Sequence, residues 1–200
     1  MDANERLVSF DDEPLIVVDE QDNVLGYQSK AEVHRGAGIL HRAFSVFLFN
    51  HRGEVLLQRR SEAKPLWPLY WSNSCCSHPR RGEGLLEAVE RRVPEELGVA
   101  PDVEILFRFQ YDAPFGERGS ERELCSVFLG RSGEAIDANR REIAAWKWTS
   151  VRQLEADLQL APDLHTPWLK LEWALIRDQH RSTLERYTRM SEHPRKECLS

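Results

Sequence analysis

The stretch HRAFSVFLFNHRGEVLLQRRS constrains the fold more than any other part of the chain. It contains two apolar runs separated by the turn residues Asn50 to Gly53. Two such runs around a short turn are typical of a β-hairpin, and glycine adopts the positive φ that the turn requires. The sequence therefore predicts a sheet that contains this hairpin.

Further patterns predict the elements around the hairpin. PLIVVDEQDNVLGYQS predicts a strand, a turn and a second strand, and VEILFRFQYDAP, RELCSVFLGRS and IAAWKWTSV predict three more strands. Lys30 to Arg35 predicts a short polar helix or loop, and SVRQLEADLQ predicts another short helix. A final helix is expected from about Pro167 to Tyr187, with a disordered tail over 191–200. The fold class is therefore mixed, α/β (α+β).

The segment GEGLLEAVERRVPEELGV follows a cysteine-containing loop and predicts the central helix. Gly98 is expected to end this helix. Its apolar residues recur at helical spacing, so we expect one side of the helix to carry Leu85, Leu86, Val89, Val93 and Leu97. Pro94 lies inside the predicted helix, where a proline costs about 3 kcal/mol.

Composition limits the class of protein. The 200 residues suit a single domain, 1–200, and 41% hydrophobic with 30% charged residues is typical of a soluble globular protein. No apolar run approaches the ~20 residues that span a bilayer, and the acidic N-terminus lacks the pattern of a signal peptide. We therefore expect a cytoplasmic location. A net charge of −6 argues against nucleic-acid or membrane partners. A monomer or weak homodimer is expected.

The motif NSCCSHP places two adjacent cysteines beside His78. Two further histidines precede it, and two glutamates alternate on one face of a predicted strand: His34, His41, Glu121 and Glu123. Imidazoles and carboxylates together form a plausible ligand set for a divalent ion of the Zn, Mn or Mg type. Taken singly, each histidine is more typical of a surface group, and each cysteine of a small buried side chain.

The central helix segment resembles the Nudix box, G-x5-E-x7-R-E-U-x-E-E-x-G-U. Aligned on Gly98, the residues in register are Glu83, Arg91, Val93, Glu95, Glu96, Gly98 and Val99. The chain departs from the pattern at Ser77 and at Arg92, which stands where Nudix hydrolases place a metal-binding glutamate. The resemblance implies a Nudix fold, a mixed central sheet flanked by helices, with its core at about 39–171.

Three further motifs occur in the order that is typical of the type 1 isopentenyl-diphosphate Δ-isomerases. HRGAGILHRAFSVFLFN, WSNSCCSHP and ERELCSVF resemble the H-x6-H-x-A-F-S, W-[ST]-N-[ST]-x-C-x-H-P and E-x-E-x-C patterns of that family. The resemblance covers about Val24 to Trp168. It implies an isomerase of isoprenoid biosynthesis that converts isopentenyl diphosphate to dimethylallyl diphosphate by metal-assisted protonation and deprotonation.

The same resemblance implies a role for each matching residue. The catalytic residues would be an acid/base pair, a nearby tyrosine and a tryptophan that faces the isoprenyl tail: Cys76, Glu123, Tyr111 and Trp168. One divalent ion, Mn²⁺, Zn²⁺ or Mg²⁺, would be held by His34, His41, His78, Glu121 and Glu123. A Mg²⁺ bridging to the substrate diphosphate would be held by Glu96. The diphosphate itself would be bound by Lys30, Arg60 and Lys64, with Arg92 as a further candidate.

Two alternatives remain open on the sequence. A Nudix diphosphohydrolase is compatible with Glu83, Glu95 and Glu96, although Arg92 argues against it. A catalytically inactive Nudix module that binds a metal or a ligand is compatible with the altered box and with Pro94.

Overall fold

The computed structural model describes residues 5–133 and 135–189. Within them the strands are β1 (Pro14–Val18), β2 (Val24–Ser29), β3 (His41–Phe49), β4 (Val55–Arg60), β5 (Trp71–Ser72), β6 (Cys75–Ser77), β7 (Asp102–Pro114), β8 (Ser120–Arg131) and β9 (Ile143–Thr149). The helices are α1 (Lys30–Val33), α2 (Leu85–Leu97), α3 (Val151–Leu160), α4 (Pro167–Gln179) and α5 (Arg181–Thr188). A short 3₁₀ turn, Pro162–Leu164, connects α3 to α4.

Strand β3 lies at the centre of the sheet. It pairs in parallel with β8 along its whole length, from His41 opposite Glu123 to Phe49 opposite Arg131. It also pairs antiparallel with β1, β6 and β4 at successive positions, which leaves those strands on its other edge. The sheet continues from β8 to β7 and from β4 to β9. This is the mixed sheet that was predicted.

Helices cover both faces of the sheet because the side chains of β3 alternate between them. Phe47 and Phe49 pack in one buried cluster with residues of α3, α4 and α5. Phe44, Val46 and Leu48 pack in a second cluster with α2. The prediction of a sheet flanked by helices is confirmed.

The predicted hairpin joins β3 to β4. The Asn50 side chain stabilises its turn, because Oδ1 accepts the backbone N–H groups of Arg52 and Glu54 at 2.9 and 3.0 Å. Gly53 has a φ of 74°. A Cβ at this position would also lie 2.0 Å from the carbonyl oxygen of Thr188, so no other residue fits without a shift of the backbone.

Helix α2 forms where it was predicted and ends at Gly98, whose φ is 69°. One part of the prediction was wrong, because Leu86 is 49% exposed. The buried face instead includes two charged residues, Arg92 and Glu96, beside the expected valines and Leu97. Pro94 is exposed and the helix continues through it, so the missing amide lies on the water-facing side.

The final helix predicted from about Pro167 to Tyr187 is two helices. The chain breaks at His180, where φ is −124° and ψ is 31°. The His180 ring stacks on Phe107 with 5.0 Å between ring centroids, and the break directs Leu184 and Tyr187 of α5 into the core. The tail predicted over 191–200 lies outside the described residues. Within the described ranges, no helix has both the length and the apolar character needed to cross a bilayer.

Candidate active site

Strand β6 contains the two adjacent cysteines and directs their side chains to different sides of the sheet. Cys75 pairs with Val46 and Cys76 with Ser45, so the two side chains point to opposite faces of the sheet. Cys75 is fully buried in the cluster beneath α2. Cys76 lies on the other face and lines a cavity of about 450 Å³. The expectation that Cys75 packs in the core agrees with this placement.

The three histidines and two glutamates predicted as metal ligands converge at one end of this cavity. One ligand atom from each lies within 4.8 Å of all the others: His34, His41, His78, Glu121 and Glu123. They come from the end of α1, from β3, from the residue after β6 and from β8. The fold thus joins four separate segments into one donor set.

Backbone contacts orient two of the imidazoles. His34 Nδ1 lies 2.6 Å from the carbonyl oxygen of Lys30, and His41 Nδ1 lies 2.7 Å from that of Ile39. Each carbonyl accepts a hydrogen from Nδ1, so Nε2 is the nitrogen of each ring that faces the cluster. These nitrogens point toward the glutamates, with His34 Nε2 at 2.8 Å from Glu121 Oε2.

The donor set fits a divalent ion. His41 Nε2 and His78 Nδ1 are buried and have no hydrogen-bond partner among the described residues. Burial lowers the pKa of His41 to about 4 and that of His78 well below its ordinary value, so both rings are neutral, the form that binds metals. This cluster could therefore hold a divalent metal.

Cys76 and Glu123 face the same cavity from the two edges of β3. Cys76 Sγ donates to Asn73 Oδ1 at 2.7 Å. Tyr111 donates its hydroxyl hydrogen to Glu123 Oε2 at 2.6 Å. Burial, and then nearby carboxylates, raise the pKa of both Cys76 and Glu123. Both groups are therefore disposed to hold a proton.

Basic residues also line the cavity. Lys30, Arg60, Lys64 and Arg92 all contribute to its wall. Burial and then the charge of Lys64 lower the pKa of Lys30 to about 8, which reflects a concentration of positive charge in a desolvated place. An anion bound here would relieve that repulsion.

Arg92 is 2% exposed and belongs to an ion-pair network. Its Nε lies 2.8 Å from Glu96 Oε1, and its Nη2 lies 2.9 Å from Glu142 Oε2. Lys64 contacts the same oxygen of Glu142. Burial opposes ionisation of Glu142, yet Lys64 and Arg92 lower its pKa to about 2. Glu142 is thus a fixed counter-charge.

Glu96 does not reach the cavity. It is 2% exposed, one carboxylate oxygen contacts Arg92 and the other accepts from Gln58 Nε2 at 3.4 Å. Glu96 therefore contacts one other predicted site residue, Arg92, but does not line the cavity with the rest. Its neighbour Arg92 forms that part of the wall.

An aromatic group closes the remaining side. Trp168 is 3% exposed and donates from Nε1 to Ser72 Oγ at 2.9 Å. Trp67 packs edge-on against it with 5.1 Å between ring centroids. The Arg60 guanidinium lies 5.2 Å from the Trp168 ring centroid and donates to the Trp67 carbonyl at 3.1 Å.

Sequence reasoning did not identify several charged residues at the cavity. Glu142, Arg35, Arg118 and Arg141 line it, and Glu172 lies buried near Cys76. Each stands alone in an unremarkable stretch of sequence, and only tertiary contacts bring it to the site. No local signal in the sequence could have identified them.

The match to known domains agrees with this architecture. Residues 39–171 match the NUDIX domain family. A solved structure from Deinococcus radiodurans superimposes with a TM-score of 0.62 at 26% identity, covering 74% of this chain and 90% of that one. A MutT protein of Methanosarcina mazei, with a TM-score of 0.52 and 23% identity, has the same fold. Fold and sequence together define a Nudix protein.

Similar sequences define a narrower group. An isopentenyl-diphosphate Delta-isomerase 1 of Photorhabdus laumondii is 40% identical over 170 residues, covering 84% of this chain and 97% of that protein. An isopentenyl-diphosphate Delta-isomerase of Halorhodospira halophila is 40% identical over 169 residues, covering 84% and 95%. The chain belongs to the isopentenyl-diphosphate Delta-isomerase family within the Nudix proteins.

Proposed function

We propose that this enzyme converts isopentenyl diphosphate to dimethylallyl diphosphate in isoprenoid biosynthesis. Its membership of the isomerase family supports this reaction. The observation that carries the proposal is the meeting of Cys76 and Glu123 in one cavity, together with a metal-ligand cluster and basic side chains.

The reaction adds a proton to the terminal CH₂ of the alkene and removes one from the CH₂ next to the oxygen. Two proton-carrying groups are required, and we assign them to Cys76 and Glu123. They come from β6 and β8, the strands on opposite edges of β3, so they can approach a substrate from two directions. Tyr111 orients the Glu123 carboxyl through its hydrogen bond.

The His and Glu cluster would hold one divalent ion, Mn²⁺, Zn²⁺ or Mg²⁺. When bound, this ion would withdraw electron density from the Glu123 carboxyl and so make its proton more available. The chain's own contribution is to deliver neutral imidazoles and to keep the site buried. The cluster is a property of four chain segments, so the metal would also stabilise the folded state.

We assign the substrate diphosphate to the basic side chains that line the cavity: Lys30, Arg60, Lys64 and Arg92. Binding of the diphosphate anchors a part of the substrate that does not react, so the binding energy can position the alkene. The Arg60 side chain also fixes the Trp67 loop, which links anion binding to closure of the aromatic wall.

A Mg²⁺ ion on Glu96 remains a prediction from the family resemblance. Both carboxylate oxygens of Glu96 are engaged by Arg92 and Gln58. Ligation of an ion by Glu96 therefore competes with its contacts to Arg92 and Gln58. The Mg²⁺ dependence of KM in Glu96→Gln, compared with wild type, measures this contribution.

We assign to the indole ring of Trp168 the stabilisation of the positive charge that develops on the substrate. Such a cation–π contact is worth about 2 kcal/mol when desolvated. The Trp67 and Trp168 rings also exclude water, which would otherwise convert the cationic carbon to an alcohol. We place the reaction in the cytoplasm, where a free thiol at Cys76 persists.

Proton NMR of isopentenyl diphosphate in D₂O with metal-loaded enzyme tests the function. We expect dimethylallyl diphosphate with deuterium in a methyl group and no release of phosphate. Release of phosphate would favour a hydrolase instead. Cys76→Ala and Glu123→Gln should each lower kcat by about 10²–10⁴-fold, the range for general acid–base groups. Cys75→Ala is the matched control and should keep turnover.

A further inference from the structure

Glu172 is a buried carboxyl group to which none of the roles above gives a function. It lies on α4 with no exposed surface, and its Oε1 accepts from Cys125 Sγ at 3.6 Å. Its Oε2 has no hydrogen-bond partner among the described residues. A carboxylate in such surroundings is costly, because neither protein donors nor water replace its hydration.

Ser45 connects this carboxyl group to the reacting thiol. Its Oγ lies 3.4 Å from Cys76 Sγ and 3.5 Å from Cys125 Sγ. Cys125 Sγ in turn lies 3.6 Å from Glu172 Oε1, so Cys125 links Ser45 to Glu172. After burial, the charge of Glu172 is the largest cause of the raised pKa of Cys76. Glu172, Cys125, Ser45 and Cys76 therefore form one buried polar chain.

The groups that face Glu172 offer no positive charge. Cys125 and, at longer range, Glu123 face it from β8, and Cys76 faces it from β6. Its buried neighbours on its own helix are apolar: Trp168, Leu169, Trp173 and Ile176. Among the described residues, no cation contributes to the pKa of Glu172, which burial raises to about 8. The group is therefore protonated at neutral pH.

The protonation state of Glu172 determines where the hydrogen of Ser45 points. A serine hydroxyl has one hydrogen and can donate it to one partner. An ionised Glu172 only accepts, so it takes the Cys125 hydrogen and leaves the Cys125 sulfur to compete with Cys76 for the serine hydrogen. A protonated Glu172 can donate to Cys125 Sγ, so that Cys125 donates to Ser45 and the serine hydrogen goes to the Cys76 sulfur. We propose that Glu172 is a positioning residue that acts as a neutral carboxylic acid and directs the Ser45 hydrogen bond to Cys76.

This inference rests on the proposed function, in which Cys76 exchanges a proton with the substrate. Whether Cys76 is the acid or the base, its sulfur lacks a proton in one half of the reaction. A hydrogen bond from Ser45 stabilises that state, whereas a negative charge on Glu172 opposes it. Glu172 keeps its own proton throughout, so the proton balance of the reaction is unchanged.

The test is the ratio of kcat at pH 9 to kcat at pH 7 in metal-loaded enzyme. With a pKa of about 8, ionisation of Glu172 should lower the wild-type kcat about tenfold between these pH values. Glu172→Gln cannot ionise and should lose this tenfold component, with KM changed little in either protein. Asp178→Asn, an exposed carboxylate on the same helix, should follow the wild-type ratio. An identical ratio in Glu172→Gln and wild type would overturn the proposal.

Infrared difference spectroscopy of Glu123→Gln tests the neutral carboxyl without relying on turnover or on the Glu172 variant. That variant removes the other buried carboxyl whose pKa is strongly raised. We expect a protonated carboxyl band at pH 7 that disappears by pH 9, and a spectrum without such a band would reject the inference. Failure of wild type to isomerise isopentenyl diphosphate at pH 7 would instead reject the proposed function.

Discussion

Two charged clusters at the cavity, the metal-ligand cluster and the Arg92 network, balance their charges in different ways. In the metal-ligand cluster, the five His and Glu side chains converge, and two buried imidazole nitrogens have no hydrogen-bond partner among the described residues. In the Arg92 network, Arg92 lies between Glu96 and Glu142 at 2.8 and 2.9 Å. The metal-ligand cluster could hold a divalent cation from outside the chain, whereas the Arg92 network already contains its cation.

This difference separates two glutamates for which the family resemblance implies the same kind of role. Glu123 lies among neutral imidazoles, so an added cation is the charge that would compensate it. Glu96 lies beside a buried guanidinium and is already compensated. A buried carboxylate that lies beside a protein cation is thus a counterion, whereas one without such a cation is a candidate metal ligand.

The largest effect is expected from a change in the metal-ligand cluster. His41→Asn removes a fully buried ligand atom, so we expect it to abolish the rise in Tm that added Mn²⁺ or Zn²⁺ produces in wild type. Loss of a residue that only hydrogen-bonds to a metal ligand typically lowers activity about 10–100-fold. Turnover of His41→Asn should fall by more than this. His165→Asn is the control, because His165 is also buried but lies outside the cluster. Undiminished metal stabilisation of His41→Asn would remove His41 from the ligand set.

The second-largest effect is expected from a change in the Arg92 network. Arg92→Met leaves Glu96 and Glu142 buried with less positive charge, and breaking such a pair costs about 3–5 kcal/mol. Urea unfolding at pH 7 measures this loss. Arg141→Met is the control, because Arg141 is exposed and its Nε donates to a backbone carbonyl, that of Glu5, at 2.7 Å. If the two variants were equally stable, the Arg92 network would not be structural.

The sequence predicted those parts of the molecule whose causes are local. The hairpin follows from Gly53 and two apolar runs, and helix α2 follows from its periodicity and Gly98. The break at His180 could not be predicted, since no proline or glycine marks it and the stacking on Phe107 is a tertiary contact. Leu86 was misplaced because the apolar pattern could not show that Arg92 belongs to the buried face.

The candidate site divides in the same way. The ligand cluster could be predicted because the motifs shared with the isomerase family specify its members by position. Glu142 could not, because its partner Arg92 lies 50 positions away and nothing local distinguishes it from a surface glutamate. Charge compensation between distant segments is a property of the fold, so it becomes visible only in three dimensions.

The stability that the Arg92 network contributes should be lost at low pH. The folded-state pKa of Glu142 is about 2, below its ordinary value of 4.5. Its stabilisation is therefore fully present above pH 4.5 and is lost as the pH falls toward 2, amounting to about 3 kcal/mol. The unfolding free energy of Glu142→Gln should fall less steeply over this range than that of wild type. Parallel pH profiles would show that Glu142 does not titrate as a paired carboxylate.

The smallest effect is expected from Glu95, the residue before Glu96 on the same helix. Its side chain is 25% exposed and lies 3.2 Å from Arg91 Nη1 and 3.5 Å from Arg92 Nη1, while both arginines keep closer carboxylate partners, Glu83 and Glu96. Glu95→Gln should therefore cost only about 0.3–0.5 kcal/mol in urea unfolding, the value of a helical i,i+4 ion pair, and leave kcat unchanged. Glu96→Gln, which takes a charge from buried Arg92, should cost more. A large loss of turnover in Glu95→Gln would mean that this carboxylate binds a metal, as the box glutamates of Nudix hydrolases do. The arginines of helix α2 would then not be the charge partners of all its carboxylates.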